Sequence, residues 1–353
     1  MSATGRRPRR VDPIPPTIEW RRGRIRLVDQ RALPGRLRFV ECATVDQLCN
    51  AIATLAVRGA PALGAAGAFG VALAAGVDPR MRAIRTAARQ ITRTRPTAVN
   101  LAWGVDRAVA ACRSAGAAGA LAEAQRIATA DVEHNRRIGA NGAGLVSHGA
   151  RVYTHCNTGS LATVGYGTAL GIVRGAAEMG KRPSVWVGET RPLLQGARLT
   201  AWELDRLGIA GTIVVDGAAG ALMAHDEVDI VLVGADRIAT NGDVVNKIGT
   251  YNLAVLARRH GVPFVVAAPT STIDPQSLTG AAIPIEVRDP DEVTVIADRR
   301  MAPAGFAARN LAFDLTPARL VSAIVTEVGV ARAPYRRSRA AHLRKAKAVA
   351  PVS

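Results

Sequence analysis

Apolar positions along this chain recur at helical spacing as far as about residue 140, then change to short β-branched runs separated by helical stretches. The first part opens with Ile18-Glu-Trp20 and Arg24-Ile-Arg-Leu-Val28, which predict a short hairpin, and with a turn at Leu33-Pro-Gly35. Residues 45–57 predict a helix that stops at Arg58-Gly-Ala-Pro61, where the proline suits the first position of the next helix. In that next helix Gly64, Gly67 and Gly70 leave one face nearly flat, so a neighbouring backbone can come close. Residues 80–94 and 101–138 predict two more amphipathic helices, broken by Thr94-Arg-Pro-Thr97.

From Ala150 onward the runs Val152–His155, Val185–Val187, Thr212–Val215, Asp229–Val233 and Phe264–Ala268 alternate with helical segments, the pattern of a parallel sheet with right-handed crossovers. The whole is therefore an α/β chain with a mainly helical start. Polar residues stand at the C-terminal ends of these strands: Cys156-Asn157, Glu189-Thr-Arg191, Asp216 and Asp236-Arg237. In an open α/β sheet that edge is where ligands bind. The stretch 154–174 predicts a strand ending in Cys156, a turn at Asn157-Thr-Gly159, and a helix capped by Ser160 with small residues at Gly167 and Gly171. Gly165-Tyr-Gly167 resembles part of a dinucleotide fingerprint, but the expected helix encloses those glycines and the third position is Leu170, which argues against nicotinamide binding.

Each candidate has a plainer role beside the chemical one. Cys156 can be a nucleophile, a proton carrier or a core thiol, and His155 is no base for it, because adjacent strand residues face opposite ways. Asp236 can pair with Arg237 or cap a helix as well as act as an acid. Arg58 and Arg95 each precede a helix, where an anion is welcome, although pure packing explains the glycine-rich helix. Gln195 opens the helix after Arg191-Pro192 and can reach a phosphate or a sugar hydroxyl, while Arg191 suits an internal salt bridge. Asn246-Lys247 is expected to begin a helix running to Arg258, so that Lys247 would meet a phosphate with both its charge and the helix dipole.

Composition adds three bounds. Four cysteines without zinc spacing, and no secretory leader after Met1, point to free thiols in a reducing cytoplasm. The uncharged run Gly59–Val77 is long enough for a membrane span but holds mostly Ala and Gly, and reads as a tightly packed soluble helix. The net charge of +18 over 353 residues gathers at the ends: residues 1–10 carry four arginines, residues 331–353 carry seven Lys/Arg, and neither carries an acid. Solvated disordered tails are the simplest reading, with nonspecific contact to a polyanion such as RNA as the functional one.

Taken together, RGAPALG at 58–64, RPTAVNLAW at 95–103, THCNTGSLATVGYGTALGIVR at 154–174, ETRPLLQGARLTAWEL at 189–204, GADRIATNGDVVNKIGTYNLA at 234–254, and AFDLTPARL with IVTEVGV at 312–330 resemble the methylthioribose-1-phosphate isomerases. These are related to ribose-1,5-bisphosphate isomerases and to regulatory subunits of translation initiation factor 2B. The resemblance implies a helical N-terminal domain, here 18–140, a Rossmann-like catalytic domain, here 145–330, and a homodimer; the basic tails at 1–17 and 331–353 are extra to the family. It implies neither metal nor nucleotide cofactor. Carried over by position, it makes Cys156 and Asp236 catalytic and gives substrate contacts to Arg58, Gly59, Ala60, Arg95, Gln195, Asn246 and Lys247. Leu311 departs from the proline usual in the family, which leaves a loop geometry open. The reaction implied is conversion of a cyclic aldose 1-phosphate into a ketose 1-phosphate; the rivals are an isomerase of ribose 1,5-bisphosphate or another 5-deoxypentose 1-phosphate, and a noncatalytic binding subunit.

Overall fold

A computed structural model describes residues 13–335, so most of the two basic segments, 1–12 and 336–353, lies outside the described residues. The expected hairpin is present as β1 (Ile18–Arg21) and β2 (Arg24–Val28), and a third antiparallel strand, β3 (Phe39–Cys42), extends it. Thr44 then starts α1 (Val45–Ala53) with a reciprocal cap: its hydroxyl accepts from the Gln47 N–H, and the Gln47 side chain accepts from the Thr44 N–H.

The chain enters α2 (Ala60–Val77) through Arg58-Gly59, with Pro61 in the first turn. This helix is apolar all round, and buried nearly all round, because α1, α3 (Met81–Thr94) and α4 (Val99–Ala143) enclose it. Its length and hydropathy would suit a membrane, yet 72% of that span is buried inside the fold. At its crossing with α4, backbone meets backbone. A methyl group added to Gly104 would lie 2.0 Å from the Gly64 carbonyl oxygen, so only hydrogen fits there. Gly104→Ala is therefore expected to cost about 2 kcal/mol or more, as overpacked cores do. Urea unfolding measures this directly; an unchanged midpoint would mean the two helices separate freely. α4 itself is broken at Ala115-Gly116, where the backbone leaves helical angles.

The second half is a seven-stranded sheet. Its strands are β4 (Arg151–Thr154), β5 (Ser184–Gly188), β6 (Ala210–Val214), β7 (Ile230–Val233), β10 (Phe264–Ala267), β16 (Ala323–Thr326) and β17 (Gly329–Ala331), in the order β6-β5-β4-β7-β10-β16-β17. The first six are parallel and β17 runs antiparallel beside β16. The order is that of a doubly wound sheet, third, second, first, fourth, fifth, sixth, so the crevice falls between β4 and β7. The helices α5 (Ala169–Glu178), α6 (Ala201–Leu207), α7 (Ala219–Ala224) and α8 (Thr250–Arg259) join its strands. One apolar core lies on each face of the sheet. Tyr335 closes the second of these, its hydroxyl donating to the Val321 carbonyl at 2.7 Å, so ordered chain continues past Val330.

Two inserts lean over the crevice. β8 (Arg237–Ile238), β9 (Val244–Lys247) and β15 (Phe313–Thr316) form a small antiparallel sheet. Between them in sequence, β11 (Val287–Arg288) pairs with β14 (Asn310–Leu311), and β12 (Val295–Ile296) with β13 (Arg299–Arg300). Leu311 thus sits in a strand, opposite Val287.

Two local expectations are corrected here. The helix after Cys156 begins at Ala169, not at Ser160, because Gly159 and Gly167 bridge and fold residues 160–168 into a 3-10 turn and a loop. Gly165 and Gly167 consequently stand before the helix rather than inside it, and Gly167 serves the contact with Gly159. Lys247 ends β9 and does not begin a helix; α8 starts three residues later.

Candidate active site

Cys156 lies two residues past the end of β4 with φ +60°, a conformation uncommon for a residue with a side chain. Two hydrogen bonds fix it there: its N–H donates to Thr190 Oγ1 at 2.8 Å, and its carbonyl accepts from Thr200 Oγ1 at 2.7 Å. Asp216, at the end of β6, accepts from the N–H groups of Thr190 and Arg191 at 2.8 and 2.7 Å, and so holds the loop that holds Cys156. His155 faces the other way, as strand alternation requires. Its Nε2 is 2.8 Å from the Ile248 carbonyl, which can only accept, so that nitrogen carries the proton, and burial pushes the ring's pKa down.

Arg58 reaches across from the helical half. Its Nη1 is 3.7 Å from Cys156 Sγ, both Nη atoms donate to the Asn157 carbonyl at 3.3 and 3.1 Å, Nη2 also donates to Asn157 Oδ1, and Nε donates to Gln30 at 3.1 Å. The Asn157 amide is oriented in turn by buried Glu203, which accepts from its Nδ2 at 2.8 Å. Gly59 follows with φ +93°, and a Cβ there would lie 2.3 Å from the Ala162 carbonyl oxygen. The turn is therefore pressed onto the loop beyond Cys156, and it aims the first turn of α2, with its unpaired N–H groups, into the crevice.

Asp236 leaves β7 on the other side of the crevice, its N–H donating to the Val245 carbonyl at 3.0 Å. Burial raises the carboxyl's pKa, against the opposing pull of Lys247, Arg95 and Arg58. Burial also lowers the pKa of Lys247, opposed by Cys156 and Asp236, and the ammonium stands 4.8 Å from the centre of the Phe313 ring. Arg95 is ion-paired with Glu286 at 2.9 Å.

Arg58, Cys156, Asp236, Arg95, Lys247 and Phe313 line one cavity. Of the residues the sequence singled out, Arg58, Gly59, Ala60, Arg95, Cys156, Gln195, Asp236 and Lys247 are in its wall. Asn246 is not. It neighbours Lys247 on β9 and so faces the opposite side, where its Nδ2 donates to Thr250 Oγ1 at 3.0 Å. Gln195 is buried with its side-chain oxygen unpaired among the described residues, a free partner for a hydroxyl. Sequence reasoning missed Thr97 and Arg288, and the apolar wall of Leu55, Leu63, Leu193, Ile283 and Phe313. Thr97 lay inside a motif already noted, RPTAVNLAW; Arg288 stands in a stretch with no periodic signal.

The wall offers chemistry of three kinds: cations with a helix start for a phosphate, an acid and a thiol on opposite lips of the crevice, and apolar surface that excludes water.

Residues 56–333 match the Initiation factor 2 subunit family. A methylthioribose-1-phosphate isomerase of Anaeromyxobacter sp. (strain K) is 57% identical over 325 residues, covering 92% of this chain and 96% of its own. One from Desulforudis audaxviator is 52% identical over 329 residues, with 90% and 94% covered. Among solved structures, 5-methylthioribose 1-phosphate isomerase from Pyrococcus horikoshii superposes with a TM-score of 0.86 at 39% identity, over 98% of this chain and 99% of that one. A protein of A. fulgidus described as translation initiation factor eIF-2B, subunit delta, gives 0.81 at 46% identity, over 92% and 98%. The chain belongs to the Initiation factor 2 subunit family and, within it, to the methylthioribose-1-phosphate isomerases.

Proposed function

We propose that this chain isomerises 5-methylthioribose 1-phosphate to 5-methylthioribulose 1-phosphate, a step of methionine salvage. The observation that carries the reading is the convergence of Cys156, Asp236, Arg58 and Lys247 on one cavity, in a chain 57% identical to a protein named for that activity.

The difficulty of the reaction is that the anomeric phosphate locks the sugar as a ring, so the ring must open with the phosphate still attached. Arg58, Lys247, Gln195 and the start of α2 at Gly59-Ala60 hold the phosphate, with Arg95 at its edge. Asp236, whose protonated form burial favours, donates to the ring oxygen as the bond from that oxygen to C1 breaks. Cys156 as thiolate takes the proton from C2, giving an enol across C1 and C2, and returns it to C1. Asp236 recovers its own proton from the C2 hydroxyl as the ketone forms, so both groups end as they began. The guanidinium of Arg58 faces the sulfur, where it offsets negative charge, and Leu55, Leu63 and Phe313 exclude the water that would let phosphate escape. The roles of all these residues belong to the proposal, as do a cytoplasmic homodimer, the division into domains at 18–140 and 145–330, and any contact of the basic tails with a polyanion.

A proton and phosphorus NMR time course tests it. Purified protein given 5-methylthioribose 1-phosphate should yield the 2-ketose with the phosphate retained. No reaction in well-folded protein sinks the proposal and turns attention to the translation-initiation-factor role for which the A. fulgidus relative is named.

A further inference from the structure

The lining of the cavity carries an unusual number of cations, but most of their charge is already spoken for. Among the described residues, Arg58, Arg95, Arg237, Lys247 and Arg288 line it. Glu286 sits between two of them, 2.9 Å from Arg95 and 3.1 Å from Arg288, and also accepts from Thr97 Oγ1 at 3.2 Å. Arg288 donates further to Glu292, with Nε 3.0 Å from both carboxylate oxygens, and Arg237 lies 3.4 Å from Asp274. Five cations less three carboxylates leaves two. They are Arg58, whose hydrogen bonds go to Gln30, to Asn157 and to the Cys156 sulfur rather than to a carboxylate, and Lys247, which stands over the Phe313 ring.

With the Cys156 sulfur against Arg58, these two cations are at most enough for one phosphate, which carries roughly −1.5 to −2 at neutral pH. A sugar with a second phosphate at C5 would bring about twice that into a cavity whose apolar wall includes Leu55, Leu63, Leu193, Ile283 and Phe313, and whose other polar groups include the neutral Thr97 and Gln195. Its extra charge would be stripped of water without a free cation to receive it. Glu286 is the carboxylate that makes the difference, since it occupies two arginines at once.

We propose that Glu286 is a specificity-determining residue, which by neutralising Arg95 and Arg288 restricts the site to sugar 1-phosphates whose C5 group is uncharged. The inference rests on the functional reading above, and names the substrate feature that the same cavity selects. Glu286 acts on the substrate through the two arginines, so it is a positioning residue and takes no part in the chemistry.

Calorimetric binding of the two ketose products, 5-methylthioribulose 1-phosphate and ribulose 1,5-bisphosphate, tests this without depending on turnover. In Glu286→Gln, the ratio of the two Kd values should move at least tenfold toward the bisphosphate, and bisphosphate binding should weaken more steeply with added salt. In Arg288→Met, where Glu286 is left to Arg95 alone, the ratio should move the other way. Either folded variant keeping the wild-type ratio within twofold overturns the assignment; if one fails to fold, as judged by circular dichroism, the other decides. Wild-type turnover is read separately, so inactivity toward the methylthio sugar would reject the functional reading and not this one.

Discussion

Asp236→Asn is expected to leave the protein folded and to lower turnover of 5-methylthioribose 1-phosphate by about a thousandfold or more, as loss of a positioned general acid does. The amide keeps the size and polarity of the carboxyl but has no proton to give the ring oxygen, and no charge with which to recover one from the C2 hydroxyl. The side chain makes no hydrogen bond that the fold depends on; its backbone N–H does that work. The pH dependence follows with a definite sign. Since the active form is protonated, the rate should hold on the acid side of the raised pKa and fall as pH climbs through it. The burial that lifts that pKa places the fall above the usual carboxylate range, and the alkaline limb assigned to this group should vanish from the residual rate of the variant. A folded variant within tenfold of wild type would remove Asp236 from the mechanism.

Cys156→Ala should be as damaging, about a thousandfold or more on the same scale, because nothing else in the wall can carry a proton between C2 and C1 from that lip of the crevice. Cys156→Ser separates chemistry from shape. Serine fits the same φ and the same two backbone hydrogen bonds, yet its hydroxyl gives up its proton far less readily than a thiol, so it should be nearly as slow while melting at an unchanged temperature. The rate of product formation under saturating substrate measures both. If serine restores most of the activity, the thiol is not the carrier, and a direct hydride shift from C2 to C1 becomes the better account. Deuterium appearing at C1 of product formed in heavy water would mark the proton route.

Much of this site was legible from local sequence because strand ends advertise themselves. Cys156 and Asp236 follow runs of apolar residues and precede turns, and the doubly wound order of the sheet brings those two ends to either side of one crevice. The misreadings have a common cause in contacts made far along the chain. The helix after Lys247 looked as though it began there by apolar spacing, but Asp314, some sixty residues on, accepts from the N–H groups of Gly249 and Tyr251 at 2.7 and 3.0 Å and sets the start of α8 at Thr250. The same local view could not show that Arg95 is ion-paired, because its partner Glu286 belongs to an insert with only two-residue strands and no periodic pattern to read. Asn246 was expected beside Lys247 in the site because the two are adjacent in the motif, whereas adjacency in a strand puts them on opposite faces.

The seating of Arg58 on Asn157, across 99 positions of sequence, has a consequence for how the protein acquires its activity. The helices of the first half pack mostly against near neighbours in the chain and can form quickly, while a parallel sheet has to wait for distant segments to meet. A cavity walled by both can exist only when the slower partner has arrived. After dilution from denaturant, helical signal should therefore return well before catalysis does, and the lag between them would time the docking of the two halves.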